Sequence, residues 1–361
     1  MIPLPPLLLE LLNHLSSHSI KPIFVGGFVR DYFSGHTTHD LDIELYGVSS
    51  LESLETLLRP FGKVGLYGKS FGVLKLTYSG YAIDFSPPRT ESKSGFGHKG
   101  FETKWFSDMS FTAAARRRDF TINAIGYDPL TQTLIDPYKG VEDLNAKVLR
   151  CVDLETFVDD PLRILRAMQF AARFELKCDN TLLSLCREMI VAGALTELPK
   201  ERIFEEFKKL FLLSTRPSIG LKLLEKMGGR NLLNPLSDET WNRAQERIDT
   251  IAEHRYKTDV LALGQMFAAV LIESPDPLKT LEHLTDQRNV IKTTMTIINY
   301  AKRSGEFILP PEPLLQGRDL IALGLSPSVS FKTLLERAYS AQLNHEFSTH
   351  EEALKWLVTE L

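Results

Sequence analysis

The chain has 361 residues, of which 43% are hydrophobic, and this length exceeds a single core and predicts roughly two to four domains. No apolar run approaches the ~20 residues that cross a bilayer, which excludes a transmembrane protein and predicts a cytoplasmic one without membrane contact. The formal net charge of −4 excludes a globally basic nucleic-acid binder, so local patches of Lys and Arg must hold any such partner.

The N-terminal part contains an amphipathic helix predicted over Leu4 to Ser17 and an apolar run over Ile23 to Val25. Gly26 and Gly27 end that run, and glycines at such a point let the backbone turn sharply and come close to a ligand. The pattern is typical of a turn that faces phosphate.

Asp40 and Asp42 alternate with apolar residues up to Leu45, as polar residues do on a half-buried strand, and they therefore share one face. Carboxylates on one face can hold Mg²⁺, which prefers oxygen ligands completed by substrate phosphates and water. Two such ions roughly 3.5 to 4 Å apart clamp the attacking and leaving oxygens of a phosphoryl displacement. The alternative is a solvated strand face, but Gly26 and Gly27 just upstream favour the metal site.

Asp84 falls in the second of two β-rich runs, Phe71 to Tyr78 and Tyr81 to Phe85, which the hairpin signal Ser79-Gly80 separates. A third carboxylate beside the aspartate pair would serve as a metal ligand or as the base for an attacking hydroxyl. An exposed strand residue fits the pattern as well, so both interpretations of Asp84 stay open.

The stretch from Ser86 to Ala115 mixes Gly, Ser, Lys and His around aromatic residues and predicts an irregular, mobile loop. Loops this long inside a compact domain are usually functional lids or disordered. The basic and aromatic content favours a lid over nucleotide or RNA, in which Lys93, His98 and Lys99 of the segment Arg89 to Phe106 are candidate contacts.

Three consecutive arginines, Arg116 to Arg118, precede an apolar stretch. They fit either a solvated helix end or a cationic site for a triphosphate near carboxylate-bound metal. The glycines and aspartates upstream favour the triphosphate.

Past Asp153 the β signals nearly vanish and helical periodicity continues to Leu361. The first of these helices, predicted over Asp159 to Phe174, places Asp160 and Arg163 three residues apart on one surface. A carboxylate beside a guanidinium can read the Watson-Crick edge of a base. The alternative is an intrahelical ion pair.

Five motifs, which contain several of the residues singled out above, follow one another over about the first 210 residues. The motifs are GGFVRD with DLD, RRRDFTINA, IDPYKGVEDL, DDPLRILRAMQFAARF and KERI. In this order they resemble the bacterial class II tRNA nucleotidyltransferases and poly(A) polymerases. The resemblance extends weakly to the segment LLQGRDLIALGLSPSVSFKTLLERAYSAQL.

The resemblance implies an α+β fold, with a nucleotidyltransferase (polymerase-beta-like) mixed-sheet head followed by an all-helical neck, body and tail. It implies a catalytic head over residues 1–148 and a neck with a nucleobase-templating helix over residues 149–212. A helical body over residues 213–300 and a tRNA-binding tail over residues 301–361 would follow.

The same resemblance implies which residues form the site. Asp40 and Asp42 would bind Mg²⁺, and together with Asp84 they make up the candidate catalytic set. The implied nucleotide-binding residues are Gly26, Gly27, Arg30, Arg118, Asp119, Asn123, Asp160, Arg163 and Arg166. Among them Asp119 and Asn123 would surround the sugar, and Asp160 with Arg163 would be the protein template for the base. Asp159 departs from the family, which commonly has Glu at this position, and shortens the side chain.

The implied reaction is template-independent addition of two C and then A to the 3′ end of tRNA, from CTP and ATP with release of pyrophosphate. A poly(A) polymerase, or a partial enzyme that adds only CC or only A, would use the same chemistry. An RNA-binding protein on a degenerate transferase fold is a different class, against which the intact Asp40 and Asp42 argue. Arg243, Arg247, Arg255 and Lys257 are either RNA contacts or part of a solvated helix face, and the sequence does not fix the oligomeric state.

Overall fold

A computed structural model gives the architecture of the chain, which begins with a sheet-bearing half and continues as helices. It describes residues 2, 4–36, 38–67, 72–93, 101–105, 109–233, 236–255, 258–305, 307, 311–326 and 329–360. The strands of the first half are β1 Lys21–Val25, β2 Asp40–Tyr46, β3 Val64–Tyr67, β4 Val73–Tyr78, β5 Tyr81–Ser86, β6 Arg89–Lys93, β7 Phe101–Trp105, β8 Gly126–Asp128, β9 Thr133–Ile135 and β10 Val148–Leu149. Its helices are α1 Pro6–Ser17, α2 Gly27–Phe33, α3 Leu51–Leu58, α4 Phe111–Arg116 and α5 Gly140–Asn145.

Within the described residues, seven strands form one mixed sheet in the order β3-β4-β5-β2-β1-β8-β9. The central strands β2 and β5 run parallel, whereas β2 is antiparallel to β1 and β5 is antiparallel to β4. Between β4 and β5, Ser79 and Gly80 have φ values of 52° and 80°, which are the positive values that a tight two-residue hairpin requires. The predicted hairpin and the predicted mixed sheet are both confirmed.

Burial along β2 fixes which face of the sheet carries carboxylates. Leu41 and Ile43 are buried in a core that also contains Phe85 of β5 and the leucines of α1. Asp40 and Asp42 alternate with them and are exposed. The prediction that the two aspartates share a face is confirmed, because side chains alternate across a strand.

The second half is helical apart from the two-residue strand β11 Lys177–Cys178, which pairs with β10. Its helices are α6 Leu154–Phe157, α7 Leu162–Arg173, α8 Asn180–Val191, α9 Lys200–Leu213, α10 Pro217–Met227, α11 Asp238–Glu253, α12 Asp259–Leu271, α13 Pro277–Leu284, α14 Arg288–Ser304, α15 Gly317–Ala322, α16 Val329–Leu343 and α17 His350–Glu360. A continuous hydrophobic core runs from Phe120 to Ile298, and the last three helices surround a core of their own.

Two predictions about local structure are wrong. The stretch Ser86 to Ala115 is not wholly irregular, since β6 and β7 pair antiparallel with Arg89 opposite Trp105, and α4 follows. The polar sequence of these segments lacks the apolar alternation that predicts a strand, and the strands are defined by backbone pairing. His98 and Lys99 lie outside the described residues, and a lid at this place stays a prediction.

The helix predicted over Asp159 to Phe174 does not begin at Asp159. It begins at Leu162, because Pro161 occupies the N-cap and Asp160 lies before it, accepting a hydrogen bond from the Leu162 amide at 3.1 Å. Among the described helices, none is both long and apolar enough to cross a membrane.

Candidate active site

Gly26 joins β1 to α2 and determines how close neighbouring side chains come to the backbone. Its φ of +66° lies in the left-handed region that favours glycine. A Cβ built on Gly26 would lie 3.4 Å from both Arg118 Nη1 and Asp42 Oδ2. The predicted turn at Gly26 is therefore confirmed, and a guanidinium and a carboxylate flank it.

The carboxylates of β2 and β5 gather negative charge at one place on the sheet. Asp42 lies opposite Asp84 in the parallel pairing, and Asp84 Oδ2 is 2.8 Å from Lys75 Nζ. Part of the Asp42 side chain is exposed, yet its carboxyl is partly desolvated, and this burial raises its pKa. The charge of Arg118 opposes the shift, and the charges of Asp84 and Asp40 reinforce it. Asp84 thus contributes to the local charge while it is ion-paired with Lys75.

A metal ion here would be held by two carboxylates rather than by a complete protein cage. In the part of the chain that the structure describes, no three His, Cys, Asp or Glu side chains converge on an ion site. Mg²⁺ is commonly held by one or two carboxylates plus substrate phosphates and water. Asp40 and Asp42 fit such an ion, because both carboxylates are exposed on one face of β2 and Asp42 also lines the cavity described below.

A cavity of about 540 Å³ lies where the sheet, the arginine triplet and the helices α7 and α9 meet. Its lining residues are Gly26, Gly27, Arg30, Asp42, Arg117, Arg118, Asp119, Asn123, Asp160, Leu162, Arg163, Arg166, Phe170 and Arg202. All nine predicted nucleotide-binding residues are in this set, with Asp42, whereas Asp40 and Asp84 are not. Six arginines face three aspartates in the lining, so the cavity suits a polyanion in a chain whose net charge is negative.

A hydrogen-bond network ties the wall of this cavity together from α7 to α2. Asp119 accepts from Arg166 Nε at 2.6 Å and from Asn123 Nδ2 at 2.9 Å, and Asn123 Oδ1 accepts from Arg30 Nη1 at 2.6 Å. Burial alone would raise the pKa of Asp119, but the charge of Arg166 and these hydrogen bonds hold it below the usual value. Asp119 is therefore a fixed anion that orients its neighbours.

Arg30 is more enclosed than a phosphate-binding arginine usually is. Its guanidinium lies 5.1 Å from the ring of Phe170 and 4.6 Å from that of Phe174, and it donates to Asp31 as well as to Asn123. Burial lowers the pKa of Arg30, against the opposing charge of Asp31. Arg30 lines the cavity while most of its side chain supports the wall.

Asp160 and Arg163 are brought to the same cavity but do not pair through their side chains. Asp160 Oδ2 accepts from Arg202 Nη2 at 3.1 Å. Arg163 donates to the carbonyl oxygens of Thr156 at 2.7 Å and of Arg117 at 2.5 Å. The alternative of an intrahelical ion pair is therefore wrong for this structure, because each side chain has partners on other elements.

Three residues that build the site, Glu44, Arg117 and Arg202, are absent from the predicted set of site residues, although Arg117 belongs to the predicted cationic triplet. Glu44 continues the period-two pattern of Asp40 and Asp42, yet it is fully buried and accepts from Arg117 at 3.2 Å and Arg118 at 3.3 Å. Two sequence features could have indicated this contact. Glu44 continues the alternation of Asp40 and Asp42, and a triplet of arginines follows further along the chain. Arg202 lies in the KERI motif, which the resemblance included without giving its residues a role.

The basic residues proposed as RNA contacts in the body are bound to protein groups. Arg243 and Arg247 both donate to Glu273, at 2.9 Å and 2.6 Å. Arg255 donates to the carbonyl oxygens of Ala252, Phe211 and Ser214 at the ends of two helices. These contacts favour structural roles, and Lys257 lies outside the described residues.

Two family models match the chain, the poly A polymerase head domain over residues 23–150 and the probable RNA and SrmB-binding site of polymerase A over residues 179–239. A multifunctional CCA protein of Xylella fastidiosa is 36% identical over 297 residues, which cover 76% of this chain and 68% of that protein. The chain belongs to the poly(A) polymerase and CCA protein family. Another family member, the multifunctional CCA protein of Methylobacillus flagellatus, is 38% identical over 224 residues, which cover 61% of this chain and 51% of that protein. The chain thus spans between 51% and 68% of the length of these curated family members.

Solved structures extend the family likeness to the fold of the whole chain. The Thermotoga maritima CCA-adding enzyme complexed with tRNA-CCA matches with a TM-score of 0.63 at 21% identity, covering 97% of this chain and 94% of that one. A CCA-adding enzyme in complex with CTP matches with a TM-score of 0.63 at 23% identity. The expected nucleotidyltransferase head followed by helices is confirmed as the fold.

Proposed function

We propose that this chain is a cytoplasmic, Mg²⁺-dependent enzyme that adds C, C and A to the 3′ end of tRNA, from CTP and ATP with release of pyrophosphate. The observation that carries the proposal is the single cavity in which Asp42, six arginines and the start of α7 meet. Carboxylates for metal, cations for a triphosphate and polar groups for a base are the parts that nucleotidyl transfer requires.

The carboxylates of β2 define the reacting end of the cavity in this proposal. Asp40 and Asp42 would hold the Mg²⁺, which when bound lowers the pKa of the attacking 3′ hydroxyl and neutralises charge on the leaving pyrophosphate. Asp84, paired with Lys75, strengthens the negative field at Asp42. The bare backbone at Gly26 and Gly27 lets a triphosphate approach closely.

The arginines orient the triphosphate and the network behind them keeps them in place. Arg118 and Arg166 both line the cavity, and a guanidinium fork matches phosphate oxygens in pairs. Asp119 and Asn123 bound the space for the sugar. Because these groups are fixed before substrate arrives, little reorganisation accompanies binding.

The base would be selected at the start of α7. Arg163 has five donors, of which two are used by the carbonyl oxygens of Thr156 and Arg117. This anchoring fixes the plane of the guanidinium while leaving further donors to face a base. Asp160, which Arg202 orients from α9, supplies the acceptor.

The names of relatives support tRNA as the acceptor, since the family includes multifunctional CCA proteins and a CCA-adding enzyme complexed with tRNA-CCA. We assign catalysis to a head over residues 1–148, base selection to a neck over residues 149–212, and tRNA contact to a body over 213–300 and a tail over 301–361. The family's poly A polymerase head model makes poly(A) addition the second candidate.

The deciding experiment is incorporation of labelled CTP and ATP into tRNA that lacks its 3′ CCA, read at single-nucleotide resolution. The proposal expects three added nucleotides and then arrest. Arrest after CC, or addition of A only to tRNA ending in CC, would make the protein a partial enzyme. A lengthening A tail on arbitrary RNA would make it a poly(A) polymerase.

A further inference from the structure

Glu44 is a buried carboxylate that the reaction scheme does not use. It lies on β2 two residues after Asp42, and none of its surface is exposed to solvent. A buried carboxylate is costly unless charge and hydrogen bonds compensate it. Its partners therefore indicate what it holds.

Each oxygen of Glu44 has identified partners. Oε1 accepts from Arg117 Nη2 at 3.2 Å and from Arg118 Nη2 at 3.3 Å, and Oε2 accepts from the Tyr46 hydroxyl at 2.9 Å. Two adjacent guanidinium groups repel each other, and the shared carboxylate oxygen lets them lie side by side. Glu44 thereby sets the position of both arginines relative to Asp42.

The two arginines connect Glu44 to two different groups of residues that line the cavity. Arg118 Nη1 lies beside Gly26, which has no Cβ, and is 3.4 Å from the carbonyl oxygen of Asn123. This part of the cavity is the one that suits the triphosphate. The backbone carbonyl of Arg117 accepts from Arg163 Nη2 at 2.5 Å, and Arg163 is in the part that suits the base. The route from Glu44 to both parts is made of direct contacts.

We propose that Glu44 is a positioning residue that holds the triphosphate side and the base side of the cavity in a fixed relation through Arg118 and Arg117. The proposal deepens the function proposed above and rests on it. Glu44 does not touch substrate in this scheme. Its loss therefore affects both how well a nucleotide binds and which base is preferred.

The test compares Glu44→Gln, which keeps the shape and removes the charge, with Glu44→Asp, which keeps the charge on a shorter arm. We expect Glu44→Gln to lower kcat/KM for CTP by about tenfold or more, because two charge-assisted hydrogen bonds are weakened. We also expect its preference for CTP over UTP to fall by about tenfold, and Glu44→Asp to recover part of both. Glu55→Gln, which removes an exposed carboxylate paired with Arg59 in the same half of the chain, should match wild type.

Two controls test whether the variants are folded and whether Glu44 acts through its hydrogen bonds. The first is the melting temperature of each variant, and the second is a further substitution. Tyr46→Phe removes the hydroxyl that donates to Glu44 Oε2 while keeping every charge, and should shift the same two quantities in the same direction by a smaller factor. A loss of rate with an unchanged CTP to UTP preference in both variants would show a merely structural role and overturn the proposal.

Equilibrium binding of CTP, measured without tRNA, separates this proposal from the proposed function. If wild type adds no nucleotide to tRNA but binds CTP about tenfold more tightly than Glu44→Gln, the tRNA reaction fails and the positioning role stands. If wild type adds nucleotides while Glu44→Gln matches it in binding, rate and preference, the role of Glu44 fails and the reaction stands. A wild type that neither binds CTP nor adds it would overturn both.

Discussion

Asp42 combines three properties that seldom occur in one exposed side chain. Its side chain is partly exposed to solvent, partial burial of its carboxyl raises its pKa with Asp84 and Asp40 adding to the effect, and Arg118 lies close to it across Gly26. A structural carboxylate would be expected to have its charge fully paired. The arrangement fits a residue whose charge is completed by a cation from outside the chain.

Asp42→Asn should abolish nucleotide addition with either CTP or ATP. Metal binding supplies several kcal/mol of transition-state stabilisation, so we expect a loss of roughly a thousandfold or more in kcat/KM, since about 1.4 kcal/mol corresponds to tenfold. The measurement is single-turnover incorporation into tRNA lacking CCA. Asp40→Asn should behave alike.

The circular dichroism spectrum of Asp42→Asn should match that of wild type, because an exposed strand carboxylate contributes little to a core. Asp84→Asn is the matched comparison on the neighbouring strand. The decrease in kcat/KM should be smaller for Asp84→Asn than for Asp42→Asn, because Asp84 is ion-paired with Lys75. Near wild-type turnover in both Asp42→Asn and Asp40→Asn would disprove the metal assignment.

Arg163→Ala should change which nucleotide is used rather than only the rate. A site that hydrogen-bonds a substrate edge discriminates strongly, because a wrong partner leaves buried polar groups unmatched. We expect the preference for CTP over UTP to fall by roughly tenfold to a hundredfold, from competition assays. Arg187→Ala, an exposed arginine of α8 outside the cavity, should leave the preference intact, and equal losses for all four nucleotides would refute base selection by Arg163.

Single residues could be predicted from sequence where a local pattern and a chemical role coincide. Asp40, Asp42 and the turn at Gly26 follow from period-two alternation and from glycine after an apolar run. Glu44 shares the same alternation, but its burial depends on Arg117 and Arg118, which are over 70 residues away in sequence. The partners of Asp160 and Arg163 were likewise missed because they lie on other elements.

At the scale of elements, hydrophobic periodicity predicted the helices and the sheet, while starts of elements depended on details that it does not contain. Leu54 and Leu58 of α3 are buried in the core beside the sheet, but the N-cap of α3 is Ser50, whose side chain accepts from the Ser53 amide. Helix α7 begins at Leu162 rather than at the predicted Asp159, because Pro161 occupies its N-cap. Strands β6 and β7 carry too many polar residues for a β pattern, and only their backbone pairing identifies them.

The packing of α11 against α12 includes an ion-pair hub at Glu273 that gives the body a pH-dependent stability. Hydrogen bonds from Arg243, followed by those from Arg247, hold the pKa of Glu273 below its usual value, although burial opposes them. A lowered folded-state pKa means that the stabilisation is present above the unfolded carboxyl value of about 4.3 and is lost as pH falls through the folded value.

Glu273→Gln should lower the free energy of unfolding by about 1 kcal/mol at pH 7, since water screens this partly exposed hub. The difference from wild type should shrink as pH falls below the unfolded value of about 4.3 and through the lower folded pKa, beneath which Glu273 is protonated in folded and unfolded chains alike. Urea denaturation across this pH range measures it, with Glu246→Gln at an exposed position on α11 as control. A difference that persisted unchanged at acid pH would mean that the hub is not electrostatic.

At the scale of the whole molecule, an acidic chain is proposed to bind a polyanion. The formal net charge is −4, while the cavity lining has six arginines against three aspartates. Local charge therefore differs in sign from the total, and association with RNA must rely on particular surfaces. Because the arginines considered in the body are bound to protein groups, the last helices are the next surface to test for contact with RNA.

The last three helices have a core separate from that of the rest of the chain. Their buried residues are Leu315, Leu320, Ala338, Ala341, Phe347, Ala353 and Leu357. They are joined to α14 by polar contacts, among them Arg303 Nη1 to Asn344 Oδ1 at 3.1 Å and an exposed pair between Lys292 and Glu336. Exposed contacts of this kind contribute little stability, so removing these helices should not unfold the remainder.

A chain ending at residue 307 should therefore keep the cavity but bind tRNA less well. We expect KM for CTP to stay within about threefold of wild type and KM for tRNA to rise by about tenfold or more, because a distant contact surface is lost without change at the reacting atoms. A minihelix substrate carrying only the acceptor stem is the matched control. If the deleted helices touch the far part of tRNA, the truncation should affect the minihelix less than full tRNA. An unchanged KM for tRNA would remove the tail from the RNA site, and a raised KM for CTP would show that the separate cores are coupled.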